Sequence, residues 1–319
     1  MYSRIVGTGK YLPERVLTNF DLEKMVDTSD EWIRSRTGIE RRHIAADDQA
    51  TSDLAFEAAR FAVADAGLRP EDIDLIIVGT TTPDLIFPNV ACLVQEKLGV
   101  PACPAFSVEA ACSGFVYALT VADQFIRTGM AQRALVIGAE TMSRIIDWND
   151  RETCVLFGDG AGAIVLERAD VPGVLYSKVS ADGRYKELLY ASSGVSARPT
   201  DPEEGVLKMK GNEVFRVAVK TLESIVDEVV AENGLQKGEI DWLIPHQANI
   251  RIIQATAKRL QMPMERVVLT VQEHGNTSAA SVPMALDTAI KDGRVRRGDL
   301  LLFEAFGGGF TWGANLVRY

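Results

Sequence analysis

Two hydrophobic periods alternate along the chain. Stretches with apolar residues three and four apart, the spacing of one helix face, run into short continuous apolar runs of the kind that form buried strands. The alternation is clearest at two places that resemble each other. These are Ala64-Asp-Ala-Gly-Leu-Arg-Pro-Glu-Asp-Ile-Asp-Leu-Ile-Ile77 and Ala231-Glu-Asn-Gly-Leu-Gln-Lys-Gly-Glu-Ile-Asp-Trp-Leu-Ile244. Gly67, Ile73 and Asp74 align with Gly234, Ile240 and Asp241 at a constant offset of 167. Each copy predicts a long amphipathic helix closed by a glycine cap, a short loop and a buried strand, Ile240 to Ile244 in the second. Both strands give way to polar residues: Gly79-Thr-Thr-Thr-Pro83 in one copy and Pro245-His-Gln-Ala-Asn249 in the other.

The echo continues. Leu135-Val-Ile-Gly138 followed by Gly158-Asp-Gly-Ala-Gly-Ala-Ile-Val-Leu166 is answered by Leu300-Leu-Leu-Phe303 followed by Gly307-Gly-Gly-Phe-Thr-Trp-Gly-Ala-Asn-Leu-Val317. Two such halves predict an α/β architecture of packed sheets and helical layers. We place the halves at 1–170 and 171–319, with no low-complexity tract between them. The stretch from Ser192 to Asn212, rich in Pro, Gly, Ser and charge, reads as a long surface excursion. It either borders a substrate entrance or is a solvated connection.

Composition narrows the function classes. With 319 residues, 47% hydrophobic and 24% charged, the chain can bury a large core. A net charge of −10 argues against a general nucleic-acid binder, so an acidic partner would need a local basic patch. The opening Met-Tyr-Ser-Arg-Ile-Val-Gly-Thr-Gly does not have the pattern of a signal peptide. No apolar run reaches the roughly 20 residues that cross a bilayer. Four cysteines make no disulfide framework, and their spacing with the histidines matches no zinc template. The expectation is a cytoplasmic protein without a metal or a membrane span. Gly158-Asp-Gly-Ala-Gly162 leads into an apolar strand, so it is not a dinucleotide fingerprint.

The candidate chemistry starts at Cys112, in Val108-Glu-Ala-Ala-Cys-Ser-Gly-Phe115. Phe115, Leu119, Ala122 and Ile126 then recur at helical spacing, which puts the thiol at the start of a buried helix. The backbone N–H groups of a helix start favour thiolate, the nucleophilic form; a small packing cysteine is the alternative. Cys92, Cys103 and Cys154 read as core. His246 follows a strand end, where α/β sheets present chemistry, although a satisfied structural imidazole fits it equally when taken alone. Asn276, in Glu273-His-Gly-Asn-Thr-Ser-Ala-Ala-Ser281 before a helix from Ser281 to Lys291, is an Asx turn or N-cap unless it serves a site. Read together, a thiolate and two neutral donors suit formation of a thioester and stabilisation of an enolate. The Gly307-Gly308-Gly309 turn after a strand from Leu300 to Phe306 can bring a backbone N–H close to the thioester.

These motifs, with Gly7-Thr-Gly-Lys-Tyr-Leu-Pro13 near the start and Leu-Val-Arg-Tyr319 at the end, resemble β-ketoacyl-acyl-carrier-protein synthase III over essentially the whole chain. The resemblance implies the duplicated thiolase-like fold, layered α-β-α-β-α around two packed mixed sheets, acting as a homodimer. It implies that Cys112 takes an acyl group, most simply acetyl, from acyl-coenzyme A. Malonyl-acyl carrier protein then loses carbon dioxide, and its enolate attacks the acyl-cysteine while His246 and Asn276 stabilise it. The backbone amides of Cys112 and Gly308 would form the oxyanion hole, and coenzyme A would be a substrate rather than a cofactor.

Thr28-Ser-Asp-Glu31 looks like a capping box opening a helix with Trp32 and Arg36 on one face. Trp32 there covers local core or stacks on adenine. Through the family, Thr28, Trp32, Arg36, Arg151, Gly211, Asn212, Phe215, Ala248 and Asn249 would line the coenzyme A tunnel. Arg251, Lys258 and Arg259 form a small basic stripe that is solvated or meets a partner. The resemblance makes Gln247, Ala248, Asn249, Ile250 and Arg251 the carrier-protein contact, and sends Phe87 into the partner subunit's acyl pocket. Two other readings stay open: a synthase III-like enzyme of secondary metabolism with another primer or acceptor, and a Cys-His-Asn thioester hydrolase. Nucleic acid and membrane are not expected partners.

Overall fold

A computed structural model describes residues 1–192, 194, 196 and 205–319. The chain begins with β1 (Tyr2–Tyr11), α1 (Asp30–Thr37), α2 (Thr51–Asp65), β2 (Leu75–Gly79), α3 (Val90–Leu98), β3 (Ala105–Val108), α4 (Gly114–Arg127), β4 (Arg133–Thr141) and β5 (Asp159–Ala169). It continues through β6 (Val174–Ala181), α5 (Gly211–Glu232), β7 (Trp242–Pro245), α6 (Ile250–Arg259), α7 (Ser281–Lys291), β8 (Leu300–Gly307) and β9 (Thr311–Arg318).

These strands form two mixed sheets, ordered β1-β5-β4-β2-β3 and β6-β9-β8-β7, beside two small two-stranded sheets. Four strands match in order and direction. β1 with β5 and β6 with β9 are antiparallel, as are β5 with β4 and β9 with β8; β4 with β2 and β8 with β7 are parallel. In the second sheet the counterpart of β3 is reduced to one parallel bridge, Leu243 to Val267. The repeated segments behave alike. Gly67 and Gly234, at φ +67° and +63°, end α2 and α5 in the left-handed region that glycine tolerates. Asp74 accepts the backbone N–H of Arg133, which opens β4, and Asp241 that of Leu300, which opens β8.

Alternating strand residues divide between the layers. Leu75 and Ile77 face a central layer where α4 and α7 lie between the sheets, against Ile244, Leu301 and Phe303 from the second. Ile76 and Val78 face the outer helices α2 and α3. Beyond the second sheet, Ala218, Leu222 and Val229 of α5 and Ile253 and Ala257 of α6 cover Leu243 and Leu302. This is the thiolase-like layering, and the helices over Phe115–Ile126 and Ser281–Lys291 lie where the apolar period puts them.

Four expectations change. The strand before His246 starts two residues late and does not stop before Pro245, because the His246 N–H still donates to the Glu304 carbonyl at 2.8 Å. The cap of α1 is Ser29, whose Oγ accepts the Trp32 N–H at 3.1 Å, so Thr28 lies outside the helix and Glu31 is one position too early for a capping box. At the end of the proposed excursion Leu207–Met209 is a strand and Gly211 opens α5; most of the preceding stretch lies outside the described residues. Cys154 is core, but Cys92 and Cys103 are only half-buried. Among the described residues no helix is long and apolar enough to cross a membrane.

Candidate active site

β3 delivers the chain to a single 3-10 turn, Ala111–Ser113, which carries Cys112 into α4. Ala111 is held at φ +44°, a strained conformation for a residue with a Cβ, and its N–H donates to Glu109 Oε1 at 3.0 Å. β8 passes directly under this turn: a Cβ on Gly307 would lie 2.6 Å from the Cys112 nitrogen, so only glycine fits. Thr311 Oγ1 donates to the carbonyls of Ala110 (2.8 Å) and Gly308 (3.2 Å), and Ser113 Oγ donates to the Thr311 carbonyl at 3.0 Å. These links tie the glycine turn to the loop before Cys112.

The resting thiol departs from expectation. Burial pushes Cys112 up to about 12, with a Ser278 hydrogen bond opposing the rise and the nearby Glu140 adding to it. A helix start favours thiolate by at most about 2 kcal/mol. Full burial works in the other direction and outweighs it. Burial therefore favours the thiol over the thiolate in the resting protein.

His246 stands at the end of β7, buried, with Nδ1 2.6 Å from Ser281 Oγ in the first turn of α7. Burial lowers its pKa to about 3, so the imidazole is neutral. A Ser281 hydroxyl donating to Nδ1 assigns the ring proton to Nε2 and leaves that N–H for the cavity. Asn276 follows Gly275, at φ +64°, and is pinned to the first sheet's chain: its N–H donates to Leu156 O and its carbonyl accepts from Gly158 N–H. Its Oδ1 accepts the Ser278 N–H at 2.9 Å. Asn276 is thus an Asx turn and also a cavity residue, with its oxygen occupied and its NH₂ group left to donate.

Cys112, His246 and Asn276 share one cavity of about 690 Å³. It runs from these buried groups to an exposed mouth at Trp32, Arg36 and Arg151. There the guanidinium carbons of Arg36 and Arg151 lie 4.9 and 5.0 Å from the Trp32 ring centroid. Gly211, Asn212, Phe215, Ala248 and Asn249 line the same cavity, and Arg251 lies over Phe215 at 5.0 Å. Gly308 lies beside Ala111, in the turn that adjoins Cys112.

Other predicted residues sit elsewhere. Thr28 does not line the cavity, and Phe87 is 83% exposed outside it. Ile250 packs against Gly38. Gln247 is fully buried: its Nε2 donates to Pro245 and Val268 carbonyls and its Oε1 accepts from Thr270 and Val271. It braces the loops of the second half and cannot be a carrier contact.

Of the five acids buried among the described residues, Asp123, Glu140, Asp159, Asp287 and Glu304, Glu140 and Glu304 bear on the site. Glu140 accepts from Thr80 Oγ1, the Thr81 and Thr82 N–H groups, Thr82 Oγ1 and Ser278 Oγ. Glu304 lines the cavity, and its one sequence signal is a lone charge within the apolar run Leu300 to Phe306.

Comparison with known proteins fixes the family. Profiles for 3-oxoacyl-(acyl-carrier-protein) synthase III and for its C-terminal region match residues 106–183 and 230–319. A protein of Xanthomonas campestris called beta-ketoacyl-(acyl-carrier-protein) synthase III is 64% identical over 100% of this chain and 99% of its own length. The chain belongs to the 3-oxoacyl-(acyl-carrier-protein) synthase III family. The solved synthase III of Aquifex aeolicus superposes with a TM-score of 0.94, at 52% identity over 99% of this chain and 100% of that one. The priming β-ketosynthase of the R1128 polyketide pathway superposes equally well, with a TM-score of 0.95, at 36% identity over 99% and 96%. A synthase III is a condensing acyltransferase, and the cavity is the place in this chain where a thiol meets two neutral donors.

Proposed function

We propose that this synthase III condenses an acyl-coenzyme A primer, most simply acetyl-coenzyme A, with malonyl-acyl carrier protein, making the first carbon–carbon bond of fatty acid synthesis. The observation that carries the reading is the single cavity with a buried thiol, a neutral histidine and an oriented asparagine amide at one end and a Trp32–Arg36–Arg151 stack at the other. The stack suits an adenine and its phosphates. The buried end suits the chemistry. Cys112 Sγ bonds to the primer carbonyl carbon, the carbon–sulfur bond to coenzyme A breaks, and the thiol proton leaves on the coenzyme A thiol. Malonyl-acyl carrier protein then loses carbon dioxide. Its enolate oxygen accepts from His246 Nε2 and Asn276 Nδ2, and its carbon attacks the acyl-cysteine. The N–H groups of Cys112 and Gly308 are the donors for the acyl-transfer oxyanions.

Arg259 pairs with Asp227, and Arg251 is the cation of the stripe that lines the cavity, placed to meet an acidic carrier. The exposed run Leu85, Ile86 and Phe87 supports a homodimer in which this loop covers the partner's acyl pocket. We assign the enzyme to the cytoplasm, where both thioesters are soluble.

Two measurements test the reading. Incubation with acetyl-coenzyme A should add one acetyl group at Cys112, absent in Cys112→Ser; an adduct elsewhere, or none, overturns the nucleophile. Turnover should prefer malonyl-acyl carrier protein over malonyl-coenzyme A. No preference would transfer the enzyme to the secondary-metabolic reading that its 36% identical polyketide neighbour keeps open, and free acid as the main product would make it a hydrolase.

A further inference from the structure

Glu304 is a carboxyl that the condensation chemistry above leaves without a task. It is 1% exposed and lines the reaction cavity, yet its Oε2 is buried with no hydrogen-bond partner. Its backbone is in register with Pro245 of β7 and Ala314 of β9, and its carbonyl accepts the His246 N–H. Val214, Ala218 and Leu222 of α5, Ile252 of α6 and Phe306 form the neighbouring wall. Thr256 of α6 hydrogen-bonds the carboxyl and opposes the upward push of burial, while Cys112, His246, Asn276, Glu213 and Arg251 line the same cavity. An ionised carboxylate in such a wall costs several kcal/mol unless it is paired, so the group takes a proton instead.

We propose that Glu304 is the cavity's proton donor, a carboxylic acid that hands its proton through cavity water to the Cys112 thiolate expelled by condensation. This rests on the condensing function given above. Decarboxylation releases carbon dioxide without a proton, so the thiolate leaving the ketoacyl product must regain one from elsewhere. The Glu304 O–H bond breaks, the Cys112 S–H bond forms, and the Glu304 carboxylate recovers a proton from solvent through the open mouth. Protonation also stops the thiolate from attacking the new ketone in reverse.

The alternatives in the site are poor donors. His246 carries no imidazolium proton at neutral pH. Burial raises Glu140 as well, to about 7, but both its oxygens are occupied by hydroxyl and amide donors that favour the carboxylate. Burial raises both groups, the thiol further than the carboxyl, which favours transfer toward the thiolate.

The test compares Glu304→Gln with wild type in three measurements: acetylation of Cys112, a single turnover of pre-acetylated enzyme with malonyl-acyl carrier protein, and steady-state kcat against pH. The first two should stay within twofold, while kcat falls at least tenfold. The wild-type decline in kcat as pH rises through about 8 should vanish, and imidazole buffer should restore part of the lost turnover. An unchanged kcat and pH profile overturns the proposal, and so does an equal loss in single and multiple turnover, which marks a binding or packing role. If Glu304→Gln does not fold, Glu304→Asp should lower kcat yet keep the alkaline decline; loss of that decline overturns the proposal. Wild-type protein that forms no acetyl-Cys112 overturns the condensing function itself.

Discussion

The two halves use the same topology for different work. In the first, the strand beside the central one ends at Thr80–Thr82, whose donors cradle Glu140, and the edge strand β3 delivers Cys112. In the second, the matching strand ends at His246, and the reduced edge at Val267 leads on to Asn276. In the proposed function, strand ends thus supply a scaffold and a nucleophile on one side, and two hydrogen-bond donors on the other. The central strands differ in the same sense: β4 carries an acid whose acceptors are filled, β8 an acid with an oxygen left over. Duplication gave both halves a socket, and only local side chains decide whether the socket holds structure or chemistry.

Substitutions can break that contrast, the largest effect first. His246→Ala or Asn276→Ala should leave acetylation of Cys112 intact and slow decarboxylation by about 10²–10³-fold, the scale of losing one oriented donor. Separate assays of acyl transfer and carbon dioxide release check this, and equal losses in both would erase the division of labour. Glu140→Gln turns an acceptor into a donor facing donors and should destabilise the fold by about 1–3 kcal/mol, read from urea unfolding.

Glu304→Gln should behave oppositely, and the sign follows from proton binding. Folded Glu304 keeps its proton up to about 8, whereas the unfolded group loses it near 4.5. Between those values the folded state binds more protons, so wild-type stability falls as pH rises. The Tm of Glu304→Gln relative to wild type should therefore climb from pH 5 to pH 8.5; a flat difference would mean that the acid is ionised when folded. The smallest effect belongs to Ser281→Ala. Losing about 1 kcal/mol of imidazole orientation should slow condensation roughly fivefold without changing acetylation.

Periodicity and local chemistry carried much of this fold in the sequence. Gly67 with Gly234 and Asp74 with Asp241 perform equal tasks at equal offsets, and the α4 and α7 periods match their burial. Cys112, His246 and Asn276 stood out because each follows a strand or turn. What stayed hidden depends on contacts between distant residues. Gln247 looks like part of a partner-facing loop until Thr270 and Val271 close on its amide. Ser281 is an ordinary helix-opening serine until His246 arrives from 35 residues away. The thiol's burial, which opposes the pull of the helix start toward thiolate, is likewise invisible in sequence.

The loop of Asn276 leans on the first sheet. Ser278 reaches across to Glu140, and Asn276 is bridged to Phe157, so a boundary drawn at 170/171 separates the sheets but cuts through the catalytic geometry. A gene split there would encode two fragments, each with a sheet and each missing part of the wall that shapes its own loop. Activity should return only on reassociation, which makes the junction a natural place for a split-enzyme reporter.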